Sequence, residues 1–376
     1  MMITVSRDIA GLVPYVPGRP IEEVAREMGV VGVIKLASNE NPYGPSPKAV
    51  AAIRDRLRRI QRYPDGGAVT LREALAERWK VSPKQVTVGN GSNEIIELLV
   101  RTFLLPGDEV VMAHPSFSVY RSMVIAAHGR PVEIPLRDGR HDLDRMAKAV
   151  TPKTRLIFIC NPNNPTGTIV SHREMQRFLS AVPKRILVVV DEAYADFATD
   201  TQFPQSIQFL QEGFPLVILR TFSKVYGLAG LRIGYGIGGM EVTDYINRVR
   251  QPFNTNLLAQ HAALAALTDE SHVARTLANN QEGKEYLCRE FEQLRMAYLP
   301  SEANFIYFDL PGSDPAVGVK VYMALLQRGV IIRHMEGIHM RVTIGLPKEN
   351  RMFIRAFKEV CAQIFDLRTR PEGGRK

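Results

Sequence analysis

Val217-Ile218-Leu219-Arg220-Thr221-Phe222-Ser223-Lys224 carries the decisive reading of this chain. The apolar run at its start reads as a buried strand. The glycine-rich stretch that follows, Gly227 to Gly234, argues against an extension of that strand. A lysine just past the C-terminal end of such a strand faces the crevice where open α/β sheets bind ligands, and there it can hold a carbonyl compound covalently. Thirty-three residues before Lys224, the run Ile186-Leu187-Val188-Val189-Val190 ends abruptly in Asp191-Glu192-Ala193-Tyr194. Further upstream, Leu156 to Cys160 runs into Asn161-Pro162-Asn163-Asn164-Pro165-Thr166-Gly167, which is too rich in turn formers to continue a sheet. Three strand ends thus bring an amide, an acid and an amine to one rim.

Pyridoxal 5'-phosphate requires this combination. Its aldehyde condenses with a lysine amine, its ring nitrogen pairs with an acid, and its ring hydroxyl takes donors such as Asn and Tyr. Its phosphate needs main-chain donors and an arginine. Val86 to Gly89, then Gly91, Ser92 and Asn93, read as a strand, a glycine turn and the start of a helix continuing through Leu98, Leu99 and Phe103. A helix N-terminus of this kind suits an anion.

Composition excludes several other classes. The 376 residues are 45% hydrophobic and 23% charged, enough for a large core and two lobes. No apolar run approaches the ~20 residues that span a bilayer, and the start lacks a signal-peptide core, so a cytoplasmic protein is expected. Cys160, Cys288 and Cys361 lack paired spacing, which indicates reduced thiols, at least two of them buried, and neither a disulfide framework nor a metal site. The net charge of +9 includes the basic tail from Arg368 to Lys376 and an arginine run on a helix expected over Pro47 to Ile60. A solvated helix face explains that run without nucleic acid, and anionic small substrates would use the positive field.

Helix and strand alternate between about Gly44 and Leu267, with strands expected near Val86, Val110, Val132, Leu156, Leu187, Val217 and Arg232. This is an α/β pattern: a mixed, mainly parallel seven-stranded sheet between helices. Beyond it, a long helical reading from Leu257 to Leu294 leads to a smaller α+β region, with strands at Asn304 to Asp309, Val330 to Arg333 and Met340 to Ile344 and a closing helix from Glu349 to Phe365. The expected division is an arm and part of the small domain over 1–43, a large domain over 44–267 and a small domain over 268–376.

Ten motifs in order carry a resemblance over nearly the whole chain. They are Leu12 to Gly18, Leu36 to Pro45, Arg62-Tyr63-Pro64-Asp65, the Gly91 turn, His114 to Tyr120, Asn161 to Gly167, Asp191 to Tyr194, Thr221 to Lys224, Arg232, and Arg341 to Gly345. The chain resembles the fold type I aminotransferases of class II and, among them, the histidinol-phosphate aminotransferase family. The resemblance implies Lys224 as the covalent anchor and base, Asp191 at the pyridine nitrogen, and Tyr194 and Asn164 at the ring hydroxyl. It implies Phe117 stacked on the ring, with Arg232, Thr221, Ser223 and the main chain of Gly91, Ser92 and Asn93 around the phosphate. Tyr63 would reach the neighbouring subunit's phosphate in a homodimer with shared sites. Arg341, with Tyr15, Asn39 and Arg333, would bind substrate, namely L-glutamate or 2-oxoglutarate and histidinol phosphate. One departure from the resemblance is the short connection Arg333 to Arg341, where family members usually carry a longer loop, often with Pro or Asp in place of His334. An aromatic amino acid aminotransferase and a threonine-phosphate decarboxylase share much of this pattern. A regulator fused to a DNA-binding domain is not expected, because the motifs begin by Tyr15.

Overall fold

Strands buried on both faces organise the molecule, a computed structural model that describes residues 5–365. In Thr154–Cys160, Ile157 and Ile159 enter one apolar cluster while Leu156, Phe158 and Cys160 enter the other. Val188 and Val190 separate in the same way from Leu187 and Val189. This period of two, apolar on both sides, demands a covering layer on each face. Helices Pro47–Arg56, Val69–Trp79, His172–Ala181 and Leu257–Ala266 supply one layer. Ser92–Phe103, Val119–Ala126 and Met240–Val249 supply the other.

The sheet has seven strands in the order Val86–Gly89, Gly234–Gly238, Leu216–Thr221, Leu187–Asp191, Thr154–Cys160, Glu109–His114, Arg130–Pro135. Only the pairings made by Gly234–Gly238 are antiparallel. The parallel strands share one direction, so Cys160, Asp191 and Leu219 align at one edge. The glycines of Gly234–Gly238 let the helix beginning at Ser92 approach closely: a Cβ on Gly234 would lie 2.5 Å from the Ser92 amide nitrogen.

A four-stranded antiparallel sheet, Arg333–His334, His339–Thr343, Phe305–Asp309, Ala297–Tyr298, forms the second lobe with helices Ala316–Leu326 and Pro347–Ile364. Ile34 and Leu36, from early in the chain, pack into its core beside Leu287, Phe291 and Phe353.

Several boundaries differ from the sequence reading. Helicity breaks between Ala266 and Glu270, because the Asp269 side chain accepts from the His272 amide and starts a new helix over Glu270–Gln293. The helix from Pro47 ends at Arg56 and continues as a 3-10 turn over Leu57–Arg59. The strand placed at Arg232 begins at Gly234, with Arg232 itself at φ +58° in the preceding turn. The run at Val330 divides: Val330–Ile331 pairs with Ile34–Lys35, and Arg333–His334 pairs with His339–Thr343. The three cysteines are free, with Cys160 and Cys361 buried. Among the described residues no helix is long and apolar enough to cross a membrane. The basic tail and the first four residues lie outside the described residues.

Candidate active site

Asp191 ends the central strand and is 3% exposed. Burial raises its pKa, and two donors oppose that: Tyr120 Oη at 2.7 Å from Oδ2 and the Ala193 amide at 3.1 Å from Oδ1. Tyr120 lies flat on Phe158, ring centroids 4.5 Å apart, and its own pKa is raised by burial and by Asp191, so it remains a donor. It is the last residue of the His114 to Tyr120 motif. An aromatic residue on a helix reads as core, so only the fold exposes its polar role.

Lys224 follows its strand by three residues and reaches the same cavity. Its Nζ meets the Ser38 carbonyl at 3.4 Å and lies 5.3 Å from the Tyr194 ring centroid. Burial, with the charge of Arg341, lowers its pKa to about 8. A lysine so placed supplies a free amine near neutral pH, as a nucleophile or base requires.

Arg341 is 8% exposed and has no acidic partner among the described residues. Its Nη1 donates to Asn164 Oδ1 (2.5 Å), its Nη2 to the Ala37 carbonyl (2.8 Å), and its Nε has no partner. Burial lowers its pKa. A desolvated guanidinium without a counter-ion is a site for a carboxylate or phosphate. Residues 37–39 touch three functional groups in succession: Ala37 holds Arg341, Ser38 meets Lys224, and Asn39 Nδ2 donates to Tyr194 Oη at 3.0 Å. Asn39, at φ +55°, is tied in turn to Thr343 Oγ1 at 3.0 Å.

The far end suits an anion. Gly91 precedes helix Ser92–Phe103 at φ +77° and provides no side-chain cap, which leaves the first-turn amides available. A Cβ on Gly91 would sit 2.5 Å from Arg232 Nη2, so only glycine admits the arginine there. Arg232 donates to the Ala229 carbonyl at 2.9 Å and approaches Ser223 Oγ at 3.5 Å, and Thr221 Oγ1 accepts from the Ser223 amide at 3.1 Å.

The structure gathers Ser92, Asn93, Phe117, Asn164, Asp191, Tyr194, Thr221, Ser223, Lys224, Arg232, Arg341, Asn39 and Tyr15 around one cavity of about 270 Å³. Cys160 and Glu40 also line it and were not singled out from the sequence. Arg333 stands at the margin, its Nη2 on the Val16 carbonyl (2.8 Å) and its guanidinium 5.7 Å from the Tyr15 ring. Tyr63 is elsewhere, 81% exposed and stacked on Phe253 at 4.6 Å.

The profile of the class I and II aminotransferases matches residues 31–357. Histidinol-phosphate aminotransferase of Moorella thermoacetica is 50% identical over 94% of this chain and 92% of its own length. That of Caldicellulosiruptor saccharolyticus is 45% identical over 92% and 97%. The crystal structure of the Sinorhizobium meliloti histidinol-phosphate aminotransferase in complex with pyridoxal 5'-phosphate superposes with TM-score 0.89 at 27% identity, covering 97% of this chain and 99% of that one. A Thermus thermophilus aspartate aminotransferase mutant reaches 0.82 at 25% identity, over 96% and 100%, so the scaffold is common to different substrates. The matches extend over both lobes: the chain belongs to the class I and II aminotransferases and, within them, to the histidinol-phosphate aminotransferases.

Proposed function

We propose that the chain interconverts L-histidinol phosphate plus 2-oxoglutarate and imidazole-acetol phosphate plus L-glutamate, with pyridoxal 5'-phosphate as cofactor. The carrying observation is the cavity's charge pattern: half-buried Lys224 and buried Arg341 without an ion-pair partner among the described residues at one end, and Arg232 with uncapped helix amides at the other. That donor set fits the cofactor. Asp191 would face its ring nitrogen, Tyr194 and Asn164 its ring hydroxyl, Phe117 its ring face, and Arg232, Thr221, Ser223, Ser92 and Asn93 its phosphate. Bound there, it supplies an aldehyde for amine exchange and a ring that accepts the electron pair left when a substrate Cα loses its proton.

The chain's own residues do the rest. Asp191 keeps a proton on the ring nitrogen, and Tyr120 holds the carboxylate in place. Lys224 Nζ takes the proton from the substrate Cα as general base, for which a pKa of about 8 suits neutral conditions. Arg341 fixes the α-carboxylate of glutamate by a two-pronged contact, and in the other half-reaction the phosphate ester. Because one cavity serves both substrates in turn, the kinetics should be ping-pong, and intersecting initial-rate lines with both substrates varied would sink that order.

The reading includes a cytoplasmic homodimer. Tyr63, Phe253 and Ile60 are 81%, 44% and 64% exposed, an apolar patch that a second copy would cover while lending Tyr63 to its partner's phosphate site. Single-turnover spectra test the substrate. Loss of the cofactor's visible band should be fast with L-histidinol phosphate and slow with L-phenylalanine, and the reverse order would make this an aromatic amino acid aminotransferase.

A further inference from the structure

The sheet face that presents Arg341 to the cleft continues past it. In the register of Phe305–Asp309 with His339–Thr343, Tyr307 lies opposite Arg341 and Asp309 opposite His339, so all four side chains leave the same face. Tyr307, Asp309 and His339 line a second cavity of about 500 Å³, whose other wall is the large-lobe rim at Leu136, Asp138 and Pro165. The lobes interlock at its margin. A Cβ on Gly139 would lie 2.5 Å from Leu299 Cδ1, and one on Gly167 would overlap Ser301 Oγ. The recess is therefore a built feature of the seam between lobes.

Its acids outnumber its bases, in a chain of net charge +9. Asp309 pairs with His339 Nδ1 at 2.5 Å, while Asp138 and Glu336, which also line the cavity, meet no cation among the described residues. Tyr307 is 8% exposed, and its hydroxyl has no hydrogen-bond partner among the described residues. Burial and the nearby Asp309 and Glu336 raise its pKa, which keeps the phenol neutral. Its ring stacks on His339, centroids 5.5 Å apart, giving the recess a flat aromatic wall facing Leu136 and Leu299. Glu336 belongs to the short connection between Arg333–His334 and His339–Thr343.

We propose that this recess is a second binding site, separate from the cavity at Lys224, for a small planar organic cation such as an amidinium or a protonated heteroaromatic ring. Glu336 and Asp138 take the charge, the Tyr307 hydroxyl accepts an N–H, and Leu136, Leu299 and the Tyr307 ring cover the apolar body.

Benzamidine is a suitable probe, with benzoate as the analogue of opposite charge and calorimetry on the holoenzyme as the readout. The expected result is saturable one-to-one binding of benzamidine, none of benzoate, and an unchanged cofactor spectrum. Glu336→Gln should weaken binding roughly ten-fold, and the isosteric Tyr307→Phe by a few-fold. Absence of saturable binding at millimolar benzamidine would overturn the proposal, as would affinity indifferent to Glu336→Gln. Displacement of the probe by 2-oxoglutarate with a change in the cofactor band would also overturn it, since that places the probe beside Lys224.

Discussion

Two largely buried arginines, Arg220 on the large sheet and Arg341 on the small-lobe sheet, meet opposite fates. Arg220, its side chain 12% exposed, pairs with Glu192 at 2.8 Å and Asp196 at 3.4 Å and lies 4.7 Å from the Trp79 ring centroid. Arg341, 8% exposed, has only an amide oxygen and a carbonyl as acceptors. Burying a charge costs several kcal/mol unless it is compensated. Where compensation comes from the chain, the arginine is part of the scaffold. Where it does not, the site awaits a ligand that brings the opposite charge.

The sharpest break of this comparison targets the other uncompensated cation. Lys224→Ala should reduce turnover by roughly 10⁴-fold while cofactor still binds through phosphate and ring contacts, and full activity would remove Lys224 from the role of base. Next come the arginines themselves. Arg220→Met should cost about 3–5 kcal/mol in denaturant unfolding by stranding Glu192, and Arg220→Met with Glu192→Met should recover most of that loss. Arg341→Met should leave the unfolding midpoint unmoved or raised while kcat/KM falls by about 10²–10³-fold. If both substitutions damaged stability equally, the distinction between scaffold and ligand arginine would fail. A smaller effect is expected at Tyr120→Phe. Loss of its hydroxyl should raise the Asp191 pKa further, seen by carbon NMR of the cofactor-free protein, and weaken cofactor affinity about ten-fold.

The smallest test is of pH. Lys224 has a folded pKa of about 8, below its ordinary 10.5, so between those values the unfolded chain binds more protons than the folded one. Stability of the cofactor-free protein should therefore gain a contribution as pH rises through that window. Lys224→Met should flatten this part of the thermal-midpoint profile.

What the sequence made legible follows from local physics. Asp191 and Lys224 were found because an apolar run that stops at a turn marks a strand end, and strand ends mark the crevice. Gly91 was legible as the turn that opens an anion-suited helix, though not as the space that Arg232 fills. Tyr120 was hidden because its contact with Asp191 joins residues 71 positions apart, and nothing local distinguishes a core tyrosine from one with a partner. The pairing of Arg220 with Glu192 was equally silent, since it depends on adjacent strands lying in register. The break at Asp269 was missed because a capping acid inside an otherwise periodic stretch resembles a solvent-facing helical residue.

The segment 37–39 carries a lesson for anyone recombining this enzyme with its relatives. Its main chain and one amide side chain set the positions of base, ring-hydroxyl donor and carboxylate anchor together, so those three groups behave as a single inherited module. A chimaera that joins the N-terminal arm of one relative to the body of another should keep its crossover clear of 37–39. Diversity introduced at 333–339 would meanwhile alter the neighbouring recess and leave that shared ruler in place.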